Sequence, residues 1–347
     1  MKAAVLVGDK EFKYKEVPDP HPKDDQVLIR VHWAGICGTD LHIYLGEFKN
    51  RVTYPSILGH ELSGIVESVG KNVSRFKKGD KVVVDPIIWC NQCTACRDGH
   101  HNACHFLKLI GVELDGAFAE YVVANAEKVF KVPDGIPLRH AALTELYSLG
   151  VHTVRRAMIE PGDKVVILGA GRLGLSVLES MKQTGASWVC SVDLLKNRLE
   201  IAQKIGAELT INVREKDPVE EILSLTDGFG VDRVIETVGA VTEVQNRMWP
   251  MAQAVRMVRS GGRIVVLGQG AKSSPVFWRE VVMKEVQIVG GRVTLGDFPR
   301  TLRLMPQGKF HPDLIISGEQ SLEKTGEAFE LLENKPDQYI KFLIKVA

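Results

Sequence analysis

The first part of the chain, up to about residue 140, alternates between hydrophobic and polar positions in short runs, a pattern typical of half-buried β-strands. Turn-forming residues separate these runs, as in Pro18-Asp19-Pro20 and Lys78-Gly79-Asp80. The predicted strands are Lys2–Val7, Val27–Trp33, Gly64–Val69, Lys81–Asp85, Ala117–Val123 and Lys128–Val132. Strands at this spacing, with no long helices between them, predict a β-rich domain built as a barrel or a folded sheet.

The pattern changes after about His140, where near-continuous apolar strands alternate with helical stretches. The predicted strands are Val165–Leu168, Trp188–Asp193, Asp232–Glu236, Arg263–Leu267 and Val286–Gly290, and the predicted helices are Arg172–Gly185, Lys196–Ile205, Glu243–Arg259 and Pro275–Lys284. Strands buried on both faces and joined by helices form a doubly wound parallel sheet. The predicted fold class is therefore α/β, with the parallel sheet in residues 149–290 and a β-rich domain formed by residues 1–148 and the returning tail 291–347.

Composition and charge narrow the classes of function. The 347 residues suffice for about two domains. Lys and Arg number 44 against 43 Asp and Glu, so the chain lacks the basic excess of a nucleic-acid binder, and no nucleic-acid partner is expected. No run approaches the length of a membrane span, and the charged start is not a signal peptide. We therefore expect no membrane partner and a cytoplasmic location.

Four of the six cysteines cluster in the pattern C-x2-C-x2-C-x7-C, formed by Cys90, Cys93, Cys96 and Cys104. Three thiols two residues apart can wrap a tetrahedral ion, and the fourth closes its shell, so a structural zinc site is predicted. Two disulfides are the alternative. They are disfavoured because bridges between cysteines at this spacing are strained, and because nothing in the sequence indicates an oxidising compartment.

A glycine-rich loop follows the first strand of the predicted parallel sheet and opens a helix. It reads Gly169-Ala170-Gly171-Arg172-Leu173-Gly174, the G-x-G-x-x-G pattern of dinucleotide-binding folds. Gly169 permits the tight turn, Gly171 lets the backbone approach a pyrophosphate, and Gly174 lets the helix pack on the strand. The pyrophosphate would lie at the helix N-terminus, beside the N–H groups of Arg172 and Leu173.

The acid that ends the next strand selects between the two nicotinamide cofactors. Asp193 follows Gly174 by 19 residues and would hydrogen-bond both ribose hydroxyls of the adenosine. A 2′-phosphate would meet this carboxylate, so NAD is expected rather than NADP. Lys196 and Arg198 lie close enough in sequence to keep NADP as an alternative, and Arg198 is a further candidate cofactor contact.

Two short motifs near the N-terminus carry a resemblance to a known family. Cys37 lies in Gly35-Ile36-Cys37-Gly38-Thr39-Asp40-Leu41-His42, and His60 lies in Gly59-His60-Glu61. With the four-cysteine lobe and the later nucleotide fold, they resemble the zinc-dependent medium-chain alcohol dehydrogenases, in that family's order and over essentially the whole chain. The resemblance implies a GroES-like catalytic domain over residues 1–148 and 291–347, and a Rossmann NAD-binding domain over 149–290.

The resemblance also implies a second, catalytic zinc, which makes two zinc ions per chain. Cys37 and His60 match its first two ligands. Glu145 matches the third, in a segment similar to the Glu-Pro-Leu segment of sorbitol, threonine and glucose dehydrogenases, although Leu146 replaces the proline. Glu61 matches a family residue that approaches the zinc directly or binds its water.

Three further residues match groups that support the catalytic step in this family. Asp40 matches an acid that orients the histidine ligand. Thr39 and His42 match the first and the distal group of the relay that carries the alcohol proton to water. The small-molecule substrate would thus lose a hydride to NAD⁺ and a proton through these two side chains.

The resemblance points to oxidation of a secondary alcohol, most closely a polyol or sugar alcohol, to the ketone. L-threonine is an alternative substrate because Gly116-Ala117-Phe118-Ala119-Glu120-Tyr121 resembles threonine dehydrogenases. A phosphorylated polyol is another, if Lys49, Arg51 and Arg292 face the substrate. A zinc-free quinone reductase is disfavoured because it would lack the cysteine lobe. A catalytically silent NAD-binding regulator is disfavoured because it would need a damaged catalytic site, and the sequence shows none. A homo-oligomer is expected, a tetramer before a dimer.

Overall fold

The computed structural model describes residues 1–48, 51–239, 249–270 and 274–347. The chain divides into two compact units. The first comprises Met1–Ser148, Thr294–Gly308 and Ile315–Ala347, and the second comprises Leu149–Val293 and Lys309–Leu314. The sequence predicts that the chain returns from the second domain to the first at residue 291, and in the structure it returns at Thr294. Residues 309–314, expected in the first domain, group with the second unit.

Short strands predominate in the first part of the chain, and strands followed by helices predominate in the second part. The strands are β1 (Lys2–Gly8), β2 (Glu11–Glu16), β3 (Gln26–Gly35), β4 (Glu61–Val69), β5 (Lys81–Val84), β6 (Ile87–Ile88), β7 (Lys108–Leu109), β8 (Tyr121–Asn125), β9 (Val129–Lys131), β10 (Lys164–Leu168), β11 (Trp188–Asp193), β12 (Leu209–Asn212), β13 (Val231–Glu236), β14 (Val258–Val266), β15 (Gln287–Gly290), β16 (Ile316–Ser321) and β17 (Lys341–Lys345). The helices are α1 (Gly38–Tyr44), α2 (Thr94–Arg97), α3 (Leu138–Ala141), α4 (Thr144–Ala157), α5 (Arg172–Met181), α6 (Lys196–Ile205), α7 (Pro218–Ser224), α8 (Pro250–Met257), α9 (Trp278–Met283), α10 (Phe298–Leu304), α11 (Pro312–Ile315) and α12 (Thr325–Asn334).

The first unit is organised around a mixed sheet whose long central strand is β3. Within the described residues the sheet runs in the order β16-β17-β3-β4-β5-β9, and β8 also pairs with β3. The strand β3 lies antiparallel to both β17 and β4, so that Gly35 is opposite Leu343 on one side and Glu61 on the other. This register brings the end of the chain beside the segment that precedes Cys37.

The second unit contains a parallel sheet in the order β12-β11-β10-β13-β14-β15, counted over the part of the chain that the structure describes. Its central strands are buried because they are apolar along their whole length, as in Val165–Leu168 of β10. Order 3-2-1-4-5-6 is that of the doubly wound nucleotide-binding fold. The α/β class, with a β-rich first unit and a Rossmann-type second unit, is confirmed.

Some of the predicted bounds are wrong. The strand expected at Ala117–Val123 begins only at Tyr121, because the backbone N–H groups of Ala117 and Phe118 bond to the loop that precedes His60. The helix expected over Arg172–Gly185 ends at Met181. Part of the predicted helix Glu243–Arg259 lies outside the described residues. Its described part is α8, and Val258 already begins β14.

Candidate functional site

Cys37 lies immediately before α1, and the start of that helix fixes its backbone. The residue is extended, with φ −92° and ψ 165°, and its N–H group donates to Asp40 Oδ2 at 2.8 Å. This contact is the backbone half of a capping box, in which a side chain from the first turn of the helix satisfies the N-cap donor. Because Asp40 is fully buried, the helix start is fixed and the thiol of Cys37 has a defined position.

His60 and Glu61 reach the same place through the sheet. Glu61 begins β4 opposite Gly35, two residues before Cys37. The thiol of Cys37, a ring nitrogen of His60 and a carboxylate oxygen of Glu61 all lie within 4.8 Å of one another. The structure therefore brings together the two motifs that the sequence places more than twenty residues apart.

Charge around the His60 ring favours its protonated form. The ring is buried, and Asp40 Oδ1 lies 3.4 Å from Nδ1. Burial opposes the charge, but the Asp40 carboxylate and the Cys37 thiol together raise the pKa of His60 well above its usual range. A buried position this rich in anionic groups is suited to hold a cation.

Glu145 lies in the first turn of α4 and is 5 % exposed. It falls outside the set of three atoms within 4.8 Å, but its charge interacts with that set. Burial and the neighbouring Glu61 carboxylate raise the pKa of Glu145 to about 8. Its Oε2 atom is buried and makes no hydrogen bond to any described residue. Buried carboxylate oxygens normally have a partner, so a divalent ion fits here. Thiolate, imidazole and carboxylate are the donors that zinc takes in proteins.

Lys341 is a residue of this site that the sequence interpretation missed. Its ammonium group forms an ion pair with Glu61, and both side chains are fully buried. It also donates to the carbonyl oxygen of Ile36 at 3.0 Å. The sequence feature that could have indicated this role is the lysine that begins the apolar strand Lys341–Lys345. A charged group in a buried strand needs a partner.

The two residues of the expected proton relay both lie on α1. Thr39 is half-buried near the helix start, and His42 follows one turn later. His42 Nδ1 lies 2.6 Å from Glu47 Oε2, and the two side chains are 43 % and 49 % exposed. A histidine with a carboxylate partner in contact with water can hold and release a proton.

The four clustered cysteines converge around the short helix α2. Their sulfur atoms all lie within 4.8 Å of one another. The Sγ–Sγ distances are 3.5 Å for Cys90–Cys104, 3.9 Å for Cys93–Cys104 and 4.0 Å for Cys90–Cys96. A sulfur tetrahedron with Zn–S bonds of ~2.3 Å has edges of about 3.8 Å, whereas a disulfide needs about 2.05 Å. These thiols are unbridged, and their arrangement fits a closed metal site.

Backbone N–H groups stabilise negative charge on two of the four sulfur atoms of this lobe. The Cys90 thiol accepts from the N–H groups of Gln92 at 3.4 Å and Cys93 at 3.3 Å, which lowers its pKa. Hydrogen bonds from the backbone of His105 and Cys96 lower the pKa of Cys93 to about 6. Thiolate is the form that binds a metal, so Cys90 and Cys93 are prepared for one, whereas burial raises the pKa of Cys96 to about 12.

The glycine-rich loop has the geometry that its three glycines predict. Gly169 has a φ of +97°, which an L side chain rarely adopts. A Cβ atom on Gly174 would overlap with the carbonyl oxygen of Gly169, so the helix and the turn pack without a gap. In contrast, a Cβ atom on Gly171 would meet nothing nearer than an Arg198 nitrogen at 3.8 Å. The backbone at Gly171 is therefore open on that side. Arg172 and Leu173 follow as half-buried residues at the helix start.

Asp193 ends β11 and closes the loop from the other side. One carboxylate oxygen accepts from the N–H group of Ala170 at 2.6 Å, and the other accepts from Leu194 at 2.8 Å and Leu195 at 2.9 Å. The acid is half-buried, and Arg198 lies on the helix that follows. Asp193 thus has a structural role, and its contact with the cofactor stays a prediction.

Comparison with known proteins bears on both units. Residues 23–134 match the alcohol dehydrogenase GroES-like domain, and residues 173–307 match the zinc-binding dehydrogenase domain. The chain is 34 % identical to sorbitol dehydrogenase from Bacillus subtilis (strain 168), over 99 % of this chain and 97 % of the relative. It belongs to the zinc-dependent medium-chain alcohol dehydrogenase family. L-threonine 3-dehydrogenase from Pyrococcus abyssi is 38 % identical, over 95 % of this chain and 94 % of the relative.

Two solved structures of similar dehydrogenases contain nicotinamide cofactors. An alcohol dehydrogenase from Escherichia coli CFT073, complexed with NADH, superposes with a TM-score of 0.90 at 28 % identity and covers 99 % of both chains. A zinc-binding dehydrogenase from Sinorhizobium meliloti 1021, bound to NADP, superposes with a TM-score of 0.91 at 30 % identity, over 99 % of this chain and 98 % of that one. This medium-chain dehydrogenase is therefore a zinc- and nicotinamide-dependent oxidoreductase.

The family membership confirms the resemblance, the enzyme class and the dependence on zinc and a nicotinamide cofactor. The matches give no support to a catalytically silent regulator. Within the described residues, no helix is long and apolar enough to cross a membrane.

Proposed function

We propose that this medium-chain dehydrogenase oxidises the secondary hydroxyl group of a polyol or sugar alcohol to a ketone, with NAD⁺ as the acceptor. The observation that carries the proposal is the convergence of Cys37, His60 and Glu61 beside the buried, unpartnered carboxylate oxygen of Glu145. A carboxylate in that position is the feature expected of the sorbitol and threonine dehydrogenase branch. The similarity to a sorbitol dehydrogenase over nearly the whole length of both chains supports the same substrate class.

In this proposal Cys37, His60 and Glu145 hold a catalytic zinc, with Glu61 alongside. When bound, the zinc would act as a Lewis acid that polarises the substrate oxygen. The Cys37 thiolate and one carboxylate bring two negative charges, which neutralise a divalent ion without repelling an anionic oxygen. Asp40 keeps the His60 ring oriented through its contact at 3.4 Å.

Proton removal is assigned to the two side chains on α1. In this proposal Thr39, two residues after Cys37, accepts the hydroxyl proton of the substrate and passes it on. His42, supported by Glu47 and exposed to water, delivers the proton to solvent. A bound NAD⁺ would supply the acceptor for the hydride of the alcohol carbon, so the two electrons and the proton would leave by separate routes.

The four-cysteine lobe holds a second, structural zinc in this proposal. The sulfur–sulfur distances of 3.5–4.0 Å support it, because they match the edges of a zinc–thiolate tetrahedron. Four thiolates leave no coordination position for a substrate. The expected content is therefore two zinc ions per chain.

The cofactor is proposed to be NAD because Asp193 stands where a 2′-phosphate would lie. Substitution Asp193→Asn tests this, since it removes the charge and keeps an oxygen for the N–H groups of Leu194 and Leu195. We expect the kcat/KM ratio of NAD⁺ to NADP⁺ to fall by at least about tenfold, because a repulsive charge opposite a phosphate is lost. Steady-state kinetics with both cofactors measures it. An unchanged ratio would remove Asp193 from cofactor selection.

A substrate panel tests the proposed substrate class directly. Purified enzyme is assayed with NAD⁺ and sorbitol, butanediol, L-threonine or galactitol 1-phosphate, and kcat/KM is compared. We expect the unphosphorylated polyols to have the highest kcat/KM. L-threonine is the second candidate, because the threonine dehydrogenase from Pyrococcus abyssi is 38 % identical to this chain. Tight selectivity for threonine would overturn the ranking.

The described cations give less support to a phosphorylated substrate than to an uncharged polyol. Arg51, one of the cations suggested to meet a phosphate, pairs with Glu113 at 2.7 Å. Lys49 lies outside the described residues. The positive charge of Arg51 is thus already compensated, which weakens the case for an anionic substrate at that position.

The oligomeric state is proposed from the edge of the parallel sheet. The strand β15 ends the sheet within the described residues, and Trp278, Val282 and Met283 of the neighbouring α9 are 66–75 % exposed. An open edge beside exposed apolar side chains favours pairing with a second copy, as in a dimer or, by the resemblance, a tetramer. A reducing compartment such as the cytoplasm is proposed as well, because none of the six cysteines forms a disulfide.

Proline substitution at the sheet edge tests the proposed pairing. The N–H group of Gly291 bonds back to Val266 of β14. By the alternation of a strand, the N–H group of Ile288 points to the open edge. Ile288→Pro should therefore leave the sheet intact and shift the mass measured by light scattering to that of a smaller species. A wild-type protein that is already monomeric would contradict the proposal.

A further inference from the structure

The last residue of β13, Glu236, has a buried carboxylate that binds the loop following the strand. The side chain is 2 % exposed, and its Oε1 accepts from the N–H groups of Val238 at 2.7 Å and Gly239 at 2.8 Å. Burial raises the pKa of Glu236, and the N–H groups of Gly239, Val238 and Gly268 oppose this rise. In the described part of the chain, the partners of this carboxylate are therefore peptide groups of two loops.

Glu236 also binds the loop that follows the neighbouring strand β14. The N–H groups of Leu267 and Gly268 donate to the backbone carbonyl oxygen of Glu236 at 2.8 Å and 3.1 Å. A Cβ atom on Gly268 would overlap with the Gly239 nitrogen and would lie 2.6 Å from Glu236 Oε2. The two loops are thus in direct contact beside the carboxylate, and Glu236 joins the end of β13 to the end of β14.

Thr237 joins the loop after β13 to the glycine-rich loop on its other side. The Thr237 hydroxyl donates to the carbonyl oxygen of Leu168 at 2.7 Å, and the Thr237 N–H group donates to the same oxygen at 3.0 Å. A Cβ atom on Gly169 would lie 2.6 Å from the hydroxyl oxygen. The loops after β10, β13 and β14 are therefore bonded to one another in sequence, and Glu236 binds the second to the third.

These three loops lie at the carboxyl ends of parallel strands, where the order of the strands reverses. The order β12-β11-β10-β13-β14-β15 places the glycine-rich loop after β10 and Asp193 at the end of β11. In this fold a dinucleotide lies across the crevice at that reversal, with its pyrophosphate at the helix start. With the adenosine toward Asp193, the nicotinamide half extends over the ends of β13 and β14, where Glu236 holds the loops.

We propose that Glu236 is a positioning residue for the nicotinamide half of the cofactor, because its carboxylate keeps the loops after β13 and β14 in the shape against which that half binds. This inference rests on the placement of the cofactor at the glycine-rich loop that is proposed above. Bonds from N–H groups to a carboxylate are charge-assisted and therefore strong. Without the carboxylate, buried N–H groups would lose their acceptor, and the loops would move to satisfy them. The adenosine half, which lies beside Asp193, would not be affected.

Comparison of NADH with ADP-ribose, which lacks the nicotinamide ring, tests this role. Isothermal titration calorimetry gives the Kd of each ligand for the wild type and for Glu236→Gln. This variant keeps the size of the side chain but removes its charge and replaces one acceptor oxygen with an NH2 donor. We expect the wild type to bind NADH at least about tenfold more tightly than ADP-ribose. In Glu236→Gln the Kd of NADH should rise at least about tenfold, and the Kd of ADP-ribose should stay within about twofold.

Hydrogen exchange in the free protein tests the loops without a cofactor. The amides of Val238, Gly239 and Gly268 should exchange at least about tenfold faster in Glu236→Gln than in the wild type, because their buried acceptor is weakened.

A second variant separates the reach of the side chain from its charge. Glu236→Asp keeps the charge but shortens the side chain by one methylene group, so it should weaken the binding of NADH and not of ADP-ribose. Wild-type NADH affinity in Glu236→Asp would show that charge alone matters, and would overturn the positioning role.

Asp232 provides the matched control, because it lies near the opposite end of the same strand. Its Oδ2 accepts from the N–H group of Lys164 at 2.8 Å, and its Oδ1 pairs with Arg259 Nε at 2.6 Å. Asp232→Asn therefore also removes a carboxylate that binds backbone and a neighbouring segment. We expect it to lose some stability and to keep the wild-type affinity for both NADH and ADP-ribose.

Three results would overturn the inference: equal affinity of the wild type for the two ligands, equal losses of both affinities in folded Glu236→Gln, or unchanged NADH affinity in that variant. If Glu236→Gln does not fold, Glu236→Asp and Gly268→Ala decide it in the same assay, because a methyl group on Gly268 pushes the two loops apart. A failure of the cofactor placement itself is recognised separately, because Gly171→Ala would then keep full affinity for both ligands.

Discussion

Replacement of Cys37 with alanine is expected to lower kcat by at least about a thousandfold, because it removes one of the anionic donors that would hold the catalytic metal. The zinc content should fall from two ions per chain to one, since the four-cysteine lobe is built from other residues. Affinity for NAD⁺ should stay within about threefold of wild type, because the glycine-rich loop and Asp193 are held by contacts within the second unit. Turnover, metal analysis and cofactor titration measure the three quantities.

Cys190 provides the matched control for this experiment. It is a fully buried thiol in β11 and belongs to neither cysteine cluster. Cys190→Ala should lose some stability, of about 1 kcal/mol for a small buried side chain, and should keep two zinc ions and its activity. Wild-type turnover by Cys37→Ala, or the retention of both ions, would show that the catalytic metal is bound elsewhere.

Apart from the candidate catalytic metal ligands, which the family resemblance predicted as one set, the parts of the site that the sequence could predict are those whose residues lie close together along the chain. The spacing of Cys90, Cys93 and Cys96 predicts a metal lobe because a few intervening residues restrict where the thiols can go. The glycine-rich loop is likewise local, and its strand and helix border it directly. Helix α6 has the bounds predicted from its pattern, Lys196–Ile205. Local patterns therefore determine both the fold class and the motifs.

Contacts between distant segments could not be predicted in this way. Lys341 meets Glu61 across 280 positions of sequence, and only the register of three neighbouring strands brings them together. The strand β2, Glu11–Glu16, alternates two aromatic residues, Phe12 and Tyr14, with charged ones and pairs with β1 along its length. An alternation of only two apolar positions is too short to predict a strand by hydrophobic periodicity.

The predicted ends of helices and strands were wrong where contacts with a neighbouring backbone segment outweighed the local sequence pattern. The helix that follows the glycine-rich loop ends at Met181, four residues before Gly185. A Cβ atom on Gly185 would lie 3.0 Å from Pro161, so the chain there is already packed in the turn that leads to the next strand. Val258 continues the apolar pattern of the predicted helix, but in the structure it pairs with Val231 and begins β14.

The two glycines Gly171 and Gly174 should fail in different ways when each is replaced with alanine. In Gly174→Ala the new methyl group overlaps with the carbonyl oxygen of Gly169, and backbone cannot move aside cheaply. We expect a loss of stability of about 2–4 kcal/mol, measured by denaturant unfolding, since overpacking against a rigid neighbour is costly. Cofactor binding should be lost with it, because the turn and the helix start that face the pyrophosphate are displaced.

Gly171→Ala should instead leave stability nearly unchanged and weaken NAD⁺ binding by at least about tenfold. Its φ of −75° suits any residue, and the nearest atom to the added methyl group is 3.8 Å away. The methyl group would therefore be tolerated in the free protein, and it would occupy the side from which the pyrophosphate has to approach the backbone. Equal losses of stability in the two variants would contradict this division of roles, whereas full NAD⁺ affinity in a folded Gly171→Ala would place the cofactor away from the loop.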